Sequence, residues 1–269
     1  MLSTAPSIGA ATFVGVPAAA CNPTPQIDAG ANQRASQSTS DALSLLNDKL
    51  APHRRVVHAG DVIYRAGERF DDLYILNSGF FKIVNTSPDG REQVVGLKFR
   101  GDWLGFGGIA HGQYSCDAVA MDTGEVWAVR YQSLLTACAG QPVLLTLLHQ
   151  AMSREIVRNR ASLMSVCTLP ADARVADFLH YWADSLAKRG LRTDHITLRM
   201  TRAEIGNYLG MTLETVSRSL SKLARDKVIA LPKKAVATSA FRIWERCRPS
   251  CSAASRRYRR FSSRAAAHG

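Results

Sequence analysis

A short polar segment at residues 214–221 has its hydrogen-bonding side chains spaced along one face of a helix. Glu214, Ser217, Arg218 and Ser221 are separated by steps of three and four, so a helix would present all four together. Arginine can donate two hydrogen bonds to guanine, glutamate can accept one from a cytosine amino group, and serine allows close approach to a base or phosphate. The pattern predicts a surface that contacts DNA. An ordinary solvated helix with alternating charges remains the alternative.

Two short helices joined by a tight turn would position this face. Thr201 followed by Glu204 is a capping-box pattern that begins the first helix. Gly210 suits the positive φ of the turn, and Thr212 can cap the second helix. Residues 200–225 are therefore predicted to form a helix-turn-helix. Both threonines are counted with the four side chains above as candidate DNA-binding residues.

The stretch IGNYLG followed by ETVSRSL resembles the winged helix-turn-helix of the CRP/FNR superfamily. Its E-x-x-S-R pattern is similar to the FNR branch. By this resemblance Glu214, Ser217 and Arg218 read a half-site resembling TTGAT, with Arg218 on the guanine and Glu214 opposite it. The resemblance covers roughly residues 45–232. It implies a homodimer that places two recognition helices in successive major grooves of double-stranded DNA.

The resemblance also implies an α+β fold made of three parts. These are an N-terminal β-roll of the cyclic nucleotide-binding type, a long dimerisation helix and a C-terminal winged helix-turn-helix. We place them at residues 41–140, 141–168 and 169–244. Residues 1–40 are rich in small and polar residues and are predicted to be a disordered extension, and residues 245–269 a basic disordered tail.

The residue pattern by itself supports this order of elements. From residue 56 to about residue 130, short apolar runs alternate with glycine turns, as in an antiparallel sandwich or barrel. Residues 41–50 look like a short helix opened by Asp41. Residues 171–189 are predicted to form an amphipathic helix that ends near Gly190, with five apolar side chains facing inward: Val175, Phe178, Leu179, Trp182 and Leu186.

A stripe along residues 141–168 recurs at the steps of three and four that are typical of a coiled-coil seam. Its members are Leu145, Leu148, Met152, Ile156, Asn159 and Leu163. Asn159 is the kind of polar seam residue that fixes the register of two helices. We expect the stripe to form the dimer interface. Packing of the helix on the core of its own domain is the alternative.

The predicted roll departs from the ligand-binding branches of the superfamily. The cyclic-nucleotide branch has a Gly-Glu pair and a later Arg-Ser pair that hold ribose and phosphate. This chain has Gly105-Phe106 and Tyr114-Ser115 at those positions. A cyclic phosphate would lack a charge-assisted partner there, so we do not expect cAMP to bind.

The oxygen-sensing FNR branch holds a [4Fe–4S] cluster on N-terminal cysteines and one cysteine of the roll. Here Cys21 is the only cysteine in the first 115 residues, and Trp127 stands at the place of the roll cysteine. Even with Cys116, two thiolates fall short of the usual four. We expect no iron–sulfur cluster and no other cofactor. An oxygen- or redox-responsive regulator of anaerobic genes that works by other chemistry remains the alternative.

The hairpin sequence NTSPDGREQVVG corresponds to the region where the superfamily contacts RNA polymerase. Arg91 is the candidate contact, and a solvated hairpin charge is the alternative. With polymerase as a partner, the regulator is expected to activate at least part of its targets.

Composition limits the remaining classes of function. The net charge of +12 fits a nucleic-acid partner, although much of the excess comes from the arginines after residue 240. The chain shows no run of about 18 apolar residues and no convincing signal peptide, so a cytoplasmic protein without a membrane span is expected. The histidines are dispersed, and no triad, P-loop or GxGxxG motif occurs. An enzyme is therefore only a remote alternative.

Overall fold

The computed structural model of the chain describes residues 29–193, 195–230 and 240–243. The described residues form a β-rich unit, a long helix and a helix-rich unit with a small sheet, which confirms the predicted α+β architecture. The α-helices are α1 (Ala29–Leu50), α2 (Tyr131–Gly140), α3 (Pro142–Thr168), α4 (Ala171–Ala187), α5 (Arg202–Leu209) and α6 (Leu213–Arg225).

The β-rich unit is a roll of two four-stranded antiparallel sheets. One sheet has the order β1-β8-β3-β6, with strands β1 (His53–Val57), β8 (Gly124–Arg130), β3 (Asp72–Ser78) and β6 (Trp103–Leu104). The other has the order β2-β7-β4-β5, with strands β2 (Val62–Tyr64), β7 (Asp117–Ala120), β4 (Phe81–Thr86) and β5 (Glu92–Lys98).

Successive side chains of a strand point to opposite faces of its sheet, so the roll has two separate apolar cores. In β3, Leu76 joins a cluster that includes side chains of both sheets, such as Phe81 and Val126. Leu73 and Ile75 belong to a second cluster, which also receives side chains from α1, α2 and α3. The first three helices are thereby packed on one sheet of the roll.

Helix α1 corrects two expectations. It begins at Ala29, so residues 29–40 are not a structureless extension, and Asp41 lies inside the helix instead of capping it. Its later part is anchored by Leu43 and Leu46, which are buried against the roll. The Ser40 hydroxyl accepts a hydrogen bond from Arg100, so the helix also contacts the β5–β6 turn just before residue 41. Residues 1–28 lie outside the described part of the chain.

The long helix α3 divides into two halves with different surroundings. In the first half, Leu144, Leu148 and Ala151 are buried in the core shared with α2. The expectation that Leu148 lies in a dimer seam is therefore wrong, because its side chain is only 4% exposed within its own chain. The second half turns apolar side chains outward, with Ile156 at 49% and Leu163 at 65% exposure.

The helix-rich unit is built on α4 and the two helices that follow it. The five α4 side chains predicted to face inward are all buried, which confirms the prediction. They share one cluster with α5, α6 and the roll residues Val94, Leu97 and Phe99. Gly190 adopts the expected positive φ of 70° just beyond the helix.

A three-stranded sheet completes this unit. Its order is β10-β11-β9, formed by β10 (Ile229–Ala230), β11 (Ala240–Ile243) and β9 (His195–Thr197). The antiparallel pairing of β10 with β11 matches the expected wing, while residues 231–239 between them lie outside the described part. The basic tail predicted for residues 245–269 lies outside it as well.

Candidate nucleic-acid interface

Helix α5 begins and ends as its sequence predicts. The Thr201 hydroxyl accepts a hydrogen bond from the Glu204 backbone N–H at 3.2 Å, and the Glu204 carboxylate accepts one from the Thr201 N–H at 2.8 Å. This is a complete capping box. Gly210 ends the helix at φ 64°, a conformation that glycine adopts cheaply.

Gly206 explains how closely α5 approaches the turn into α6. A Cβ built at this position would lie 2.6 Å from the carbonyl oxygen of Met211. Any side chain would therefore push the turn away from the helix. Because the two helices share this close contact and the buried residues Leu209 and Val216, they form one rigid helix-turn-helix unit.

The N-terminus of α6 holds Glu214 in its ionised form. Thr212 caps the helix by accepting a hydrogen bond from the Thr215 N–H at 3.2 Å. Glu214 is exposed in the first turn, where the helix dipole favours negative charge. Hydrogen bonds from its own backbone N–H and from the Thr212 hydroxyl lower the pKa of Glu214. Near neutral pH the side chain is therefore only a hydrogen-bond acceptor.

Ser217 has a partner that sequence reasoning missed. The Arg202 guanidinium, at the start of α5, donates a hydrogen bond to the Ser217 hydroxyl at 3.3 Å. A hydroxyl that already accepts from arginine can still donate its own hydrogen to a base or phosphate. The basic residue directly after the Thr201 cap was the one hint of this contact in the sequence. It did not identify the partner, because Arg202 and Ser217 lie on different helices.

The remaining predicted residues differ in which of their hydrogen-bonding groups stay free to contact DNA. Arg218 and Ser221 are exposed on α6, as a base-reading face requires. The Ser221 hydroxyl donates to the Ser217 carbonyl at 2.8 Å, which leaves its lone pairs as acceptors. The hydroxyls of Thr201 and Thr212 are engaged as helix caps. Four of the six predicted residues thus lie along α6 itself, and the other two, Thr201 and Thr212, are the N-caps of α5 and α6.

The opposite face of α6 is fixed by apolar packing and by α4. Val216, Leu220 and Leu223 are buried. Asp172 of α4 accepts from the Ser219 hydroxyl at 2.6 Å and lies 2.5 Å from the Lys222 ammonium. These two partners lower the pKa of Asp172, Lys222 being the larger cause. The contact fixes the orientation of α6 about its own axis, so that Glu214 and Arg218 point away from the protein.

A partly buried ionic cluster joins the roll, the long helix and the end of α4. The Asp102 carboxylate, in the turn between β5 and β6, lies 3.1 Å from Arg158 and 3.0 Å from Arg189. It also accepts a hydrogen bond from the Phe99 backbone N–H at 2.9 Å. Burial opposes the charged form, but Arg189 and Arg158 outweigh it, so the pKa of Asp102 is lowered. One ionised carboxylate therefore connects three parts of the chain.

Aromatic side chains occupy the two roll positions that correspond to the glutamate and the arginine of the cyclic-nucleotide branch. Phe106 stacks on Trp103, with ring centroids 6.0 Å apart. Tyr114 is buried, stacks on Tyr64 at 4.0 Å and donates its hydroxyl hydrogen to the Asp72 carbonyl. These rings do not fit a ribose and phosphate, which need hydrogen-bond acceptors and a cation.

The buried cation of the same region is already paired. Lys98 lies 2.7 Å from the Glu155 carboxylate of α3 and donates to the Trp103 carbonyl at 3.1 Å. Its charge is thereby neutralised within the chain, so Lys98 does not replace the arginine that the roll lacks.

The cysteines of the described residues lie in separate environments. Cys116 is half-buried beside Tyr64, Cys138 is buried in α2 and Cys167 is exposed near the end of α3. No three His, Cys, Asp or Glu side chains of the described ranges cluster as metal ligands would. Cys21, Cys247 and Cys251 lie outside those ranges. No helix of the described part has the length and apolar character needed to cross a bilayer.

Two protein-family models match the chain. A cyclic nucleotide-binding domain matches residues 54–141, and a Crp-like helix-turn-helix domain matches residues 173–238. Together they match more than half of the chain. They coincide with the roll and with the unit that carries α5 and α6.

Curated relatives and solved structures agree with these matches. Fumarate and nitrate reduction regulatory proteins of Salmonella typhimurium and Escherichia coli K12 are 29% identical over 187 residues, which is 70% of this chain and 75% of each relative. FixK2 from Bradyrhizobium japonicum superposes with a TM-score of 0.64 at 25% identity, covering 73% of this chain and 94% of that one. A CRP-family transcriptional regulator from Thermus thermophilus shares the fold, with a TM-score of 0.59 at 22% identity over 74% of this chain and 96% of its own.

Proposed function

The chain belongs to the CRP/FNR family of transcription regulators, and from this premise we propose that it reads TTGAT-like half-sites as a homodimer through α6. As a member of this family it is a DNA-binding regulator and not an enzyme. The observation that carries the proposal is the outward face of α6, where Glu214 and Arg218 are exposed and Ser217 is half-buried, on a helix whose opposite face is buried. In this proposal Arg218 donates to a guanine and Glu214 accepts from the cytosine amino group opposite.

The second half of α3 supports the homodimer. Ile156 and Leu163 expose apolar surface at helical spacing, and the exposed Asn159 lies between them. Apolar seam residues with one polar member are typical of helices that pair in a fixed register. A second copy of the chain would cover this face. The two α6 helices would then face successive major grooves about one helical turn apart.

Selection from a library of random duplexes tests the proposed DNA sequence. The full-length protein is expected to enrich inverted repeats with TTGAT-like arms. Specific regulators bind their sites roughly 10³- to 10⁷-fold more tightly than random DNA, so a few rounds of selection suffice. Enrichment of direct repeats, of single arms or of unrelated sequences would contradict the proposal.

We also propose that the regulator works without cyclic nucleotide and without an iron–sulfur cluster. Supporting the first part, Tyr114 and Phe106 stand where the family's nucleotide contacts would be, and Lys98 is paired with Glu155. Supporting the second, Cys116 and Cys138 are separated and each packed in its own environment. Calorimetric titration with cAMP should give no heat of binding.

A second candidate function is a response to oxygen or redox state, since the named relatives regulate fumarate and nitrate reduction. Iron and sulfide analysis of anaerobically purified protein separates the two candidates. We expect neither iron nor acid-labile sulfide in stoichiometric amount. A brown, iron-containing protein would favour the second candidate.

Contact with RNA polymerase stays a prediction for the hairpin tip. Arg91 is exposed, but its guanidinium lies 2.6 Å from Asp89 in the same hairpin. This ion pair is compatible with a solvated hairpin charge. Transcription in vitro with Arg91→Ala on a target promoter distinguishes the two: a contact residue should reduce transcription at unchanged DNA affinity.

A further inference from the structure

Asn207 of the IGNYLG motif contacts the roll and not the face proposed to meet DNA. Its side-chain NH₂ donates to the Glu92 carbonyl at 2.7 Å, and its side-chain oxygen accepts from the Val94 N–H at 2.5 Å. The Gln93 amide in turn donates to the Asn207 backbone carbonyl. Because β5 is the last strand of its sheet, the Asn207 amide binds the carbonyl and N–H that a further strand would otherwise bind.

A second contact lies beside it. The Lys82 ammonium on β4 is 2.5 Å from one oxygen of Glu204. The other oxygen of Glu204 accepts from the Thr201 N–H at the start of α5. The same carboxylate therefore caps α5 and holds it to the roll. We call the contacts of Asn207 with Glu92 and Val94, together with the pair Lys82–Glu204, the α5–hairpin contact.

The α5–hairpin contact is directional, unlike the apolar packing around it. Trp182 of α4 packs against Phe80 and Phe99 of the roll, and such ring contacts tolerate small rotations. Hydrogen bonds weaken steeply when their angles change, so they fix orientation. Since α5 and α6 form one rigid unit, the orientation of α5 also fixes that of α6.

We propose that Asn207 is a positioning residue that sets the half-site spacing read by the dimer. The inference rests on the proposed function. Helix α3 joins the roll to its dimer partner, while the α5–hairpin contact joins the same roll to the helix-turn-helix. The distance between the two α6 helices is then defined through the roll. Without the contact, the helix-turn-helix could turn about the α3–α4 junction, and more spacings would be bound.

Two substitutions break the contact from opposite sides. Asn207→Asp keeps the acceptor for the Val94 N–H but replaces the donor to Glu92 with a charged oxygen. Lys82→Met removes the ion pair while leaving the helix-turn-helix sequence unchanged. Asn85→Asp is the matched control, because Asn85 is an exposed asparagine of β4 that takes no part in the contact. Circular dichroism establishes that each variant is folded.

The readout is the affinity for inverted repeats whose arms are separated by the optimal spacer or by spacers one or two base pairs shorter and longer. For the wild type and Asn85→Asp, affinity should fall sharply away from the optimum. For Asn207→Asp and Lys82→Met, the ratio of optimal to non-optimal affinity should drop by roughly tenfold, the factor that about 1.4 kcal/mol represents. Affinity for a single half-site should not change.

The outcomes separate the inference from the function on which it rests. An unchanged spacing ratio in both variants would overturn the role of Asn207 while leaving dimeric DNA binding intact. If Asn207→Asp does not fold, the spacing ratio of Lys82→Met alone tests whether the α5–hairpin contact sets the spacing. A wild-type protein that prefers no inverted repeat over scrambled DNA would overturn both the inference and the proposed function.

Discussion

Single side chains determine which groups of α6 are free to meet a base. The Arg202 guanidinium occupies one lone pair of the Ser217 hydroxyl, and the pKa of Glu214 is lowered so that it remains a carboxylate. The Asp172 contact restrains the rotation of α6. Groups held in place before binding lose less conformational entropy when they bind, so this arrangement favours specific recognition.

Loss of the α6 cap should destabilise the helix while leaving the side chains of Glu214, Ser217 and Arg218 in place. Thr212→Ala leaves the Thr215 N–H without its side-chain acceptor, which we expect to lower the free energy of unfolding by about 1 kcal/mol. Urea unfolding measures the change. Thr212→Ser keeps the hydroxyl and is the control. Equal unfolding midpoints for Thr212→Ala and Thr212→Ser would contradict the role of the cap.

Asp102 should contribute more to stability than any cap, because it is a largely buried charge with two partly buried partners. Asp102→Asn leaves Arg158 and Arg189 without their carboxylate, and breaking a buried pair typically costs about 3–5 kcal/mol. Chemical unfolding near pH 7 is the measurement. Asp89→Asn, in an exposed hairpin pair, is the matched control and should change stability little.

The contribution of Asp102 should depend on pH in a defined direction. Its pKa is lowered in the folded protein, so its stabilising effect is complete above the unfolded value of about 3.9 and is lost as the pH falls below it. The stability difference between wild type and Asp102→Asn should therefore shrink between about pH 5 and pH 2. A difference that stays constant over this range would show that ionisation of Asp102 is not its cause.

At the residue scale, the sequence predicted local contacts and missed distant ones. The caps at Thr201 and Thr212 join residues three apart, so the pattern S/T-x-x-E at Thr201 and a threonine directly after the turn glycine at Thr212 were sufficient. Arg189 and Asp102 are separated by 87 positions, and Asn207 and Glu92 by 115. No local rule relates such residues, because only the packing of α4 and α5 on the roll brings them together.

Helix α3 shows how one element serves two different neighbours. A stripe at steps of three and four was predicted along its whole length, but Leu148 is buried in its own chain while Leu163 is exposed. Periodicity identifies an apolar face without identifying what covers it. The halves differ because the first half packs apolar side chains into the core shared with α2 and the roll, whereas the second half meets the roll through the polar side chains of Glu155 and Arg158.

The outer half of α3 should control the oligomeric state. Leu163→Asp would place two charges in an apolar seam, so we expect dissociation to monomers at micromolar concentration. Sedimentation equilibrium of the full-length chain measures this. Leu135→Asp on α2 is the matched control, because Leu135 is also an exposed leucine and lies outside the predicted seam. If wild type and Leu163→Asp sediment alike, the seam lies elsewhere.

Two helices of the roll show where sequence patterns were insufficient. Helix α1 was predicted from Asp41, since Asp is a strong cap, yet the helix starts at Ala29 and packs on the β5–β6 turn. Helix α2 was not predicted at all. Its ten residues place Leu134 and Cys138 four apart, a signal too short to distinguish from a buried strand.

The whole molecule combines a β-roll, a long helix and a helix-turn-helix that is docked on its own roll. Asp102 and the α5–hairpin contact are two polar connections across that docking surface, and the cluster around Trp182 is the apolar one. The order of these three parts followed from the resemblance and from the change from strand to helix patterns. Their docking did not, because it depends on contacts between residues far apart in the chain.

A double-mutant cycle between Arg218 and its proposed guanine tests base reading by α6 most directly. Affinities of wild type and Arg218→Ala are measured on a TTGAT inverted repeat and on the same duplex with each guanine–cytosine pair replaced. If Arg218 reads this guanine, each single change weakens binding by about 1–3 kcal/mol, and the second change adds little once the first is made. Strictly additive losses, or an equal loss on every duplex, would contradict base reading by α6.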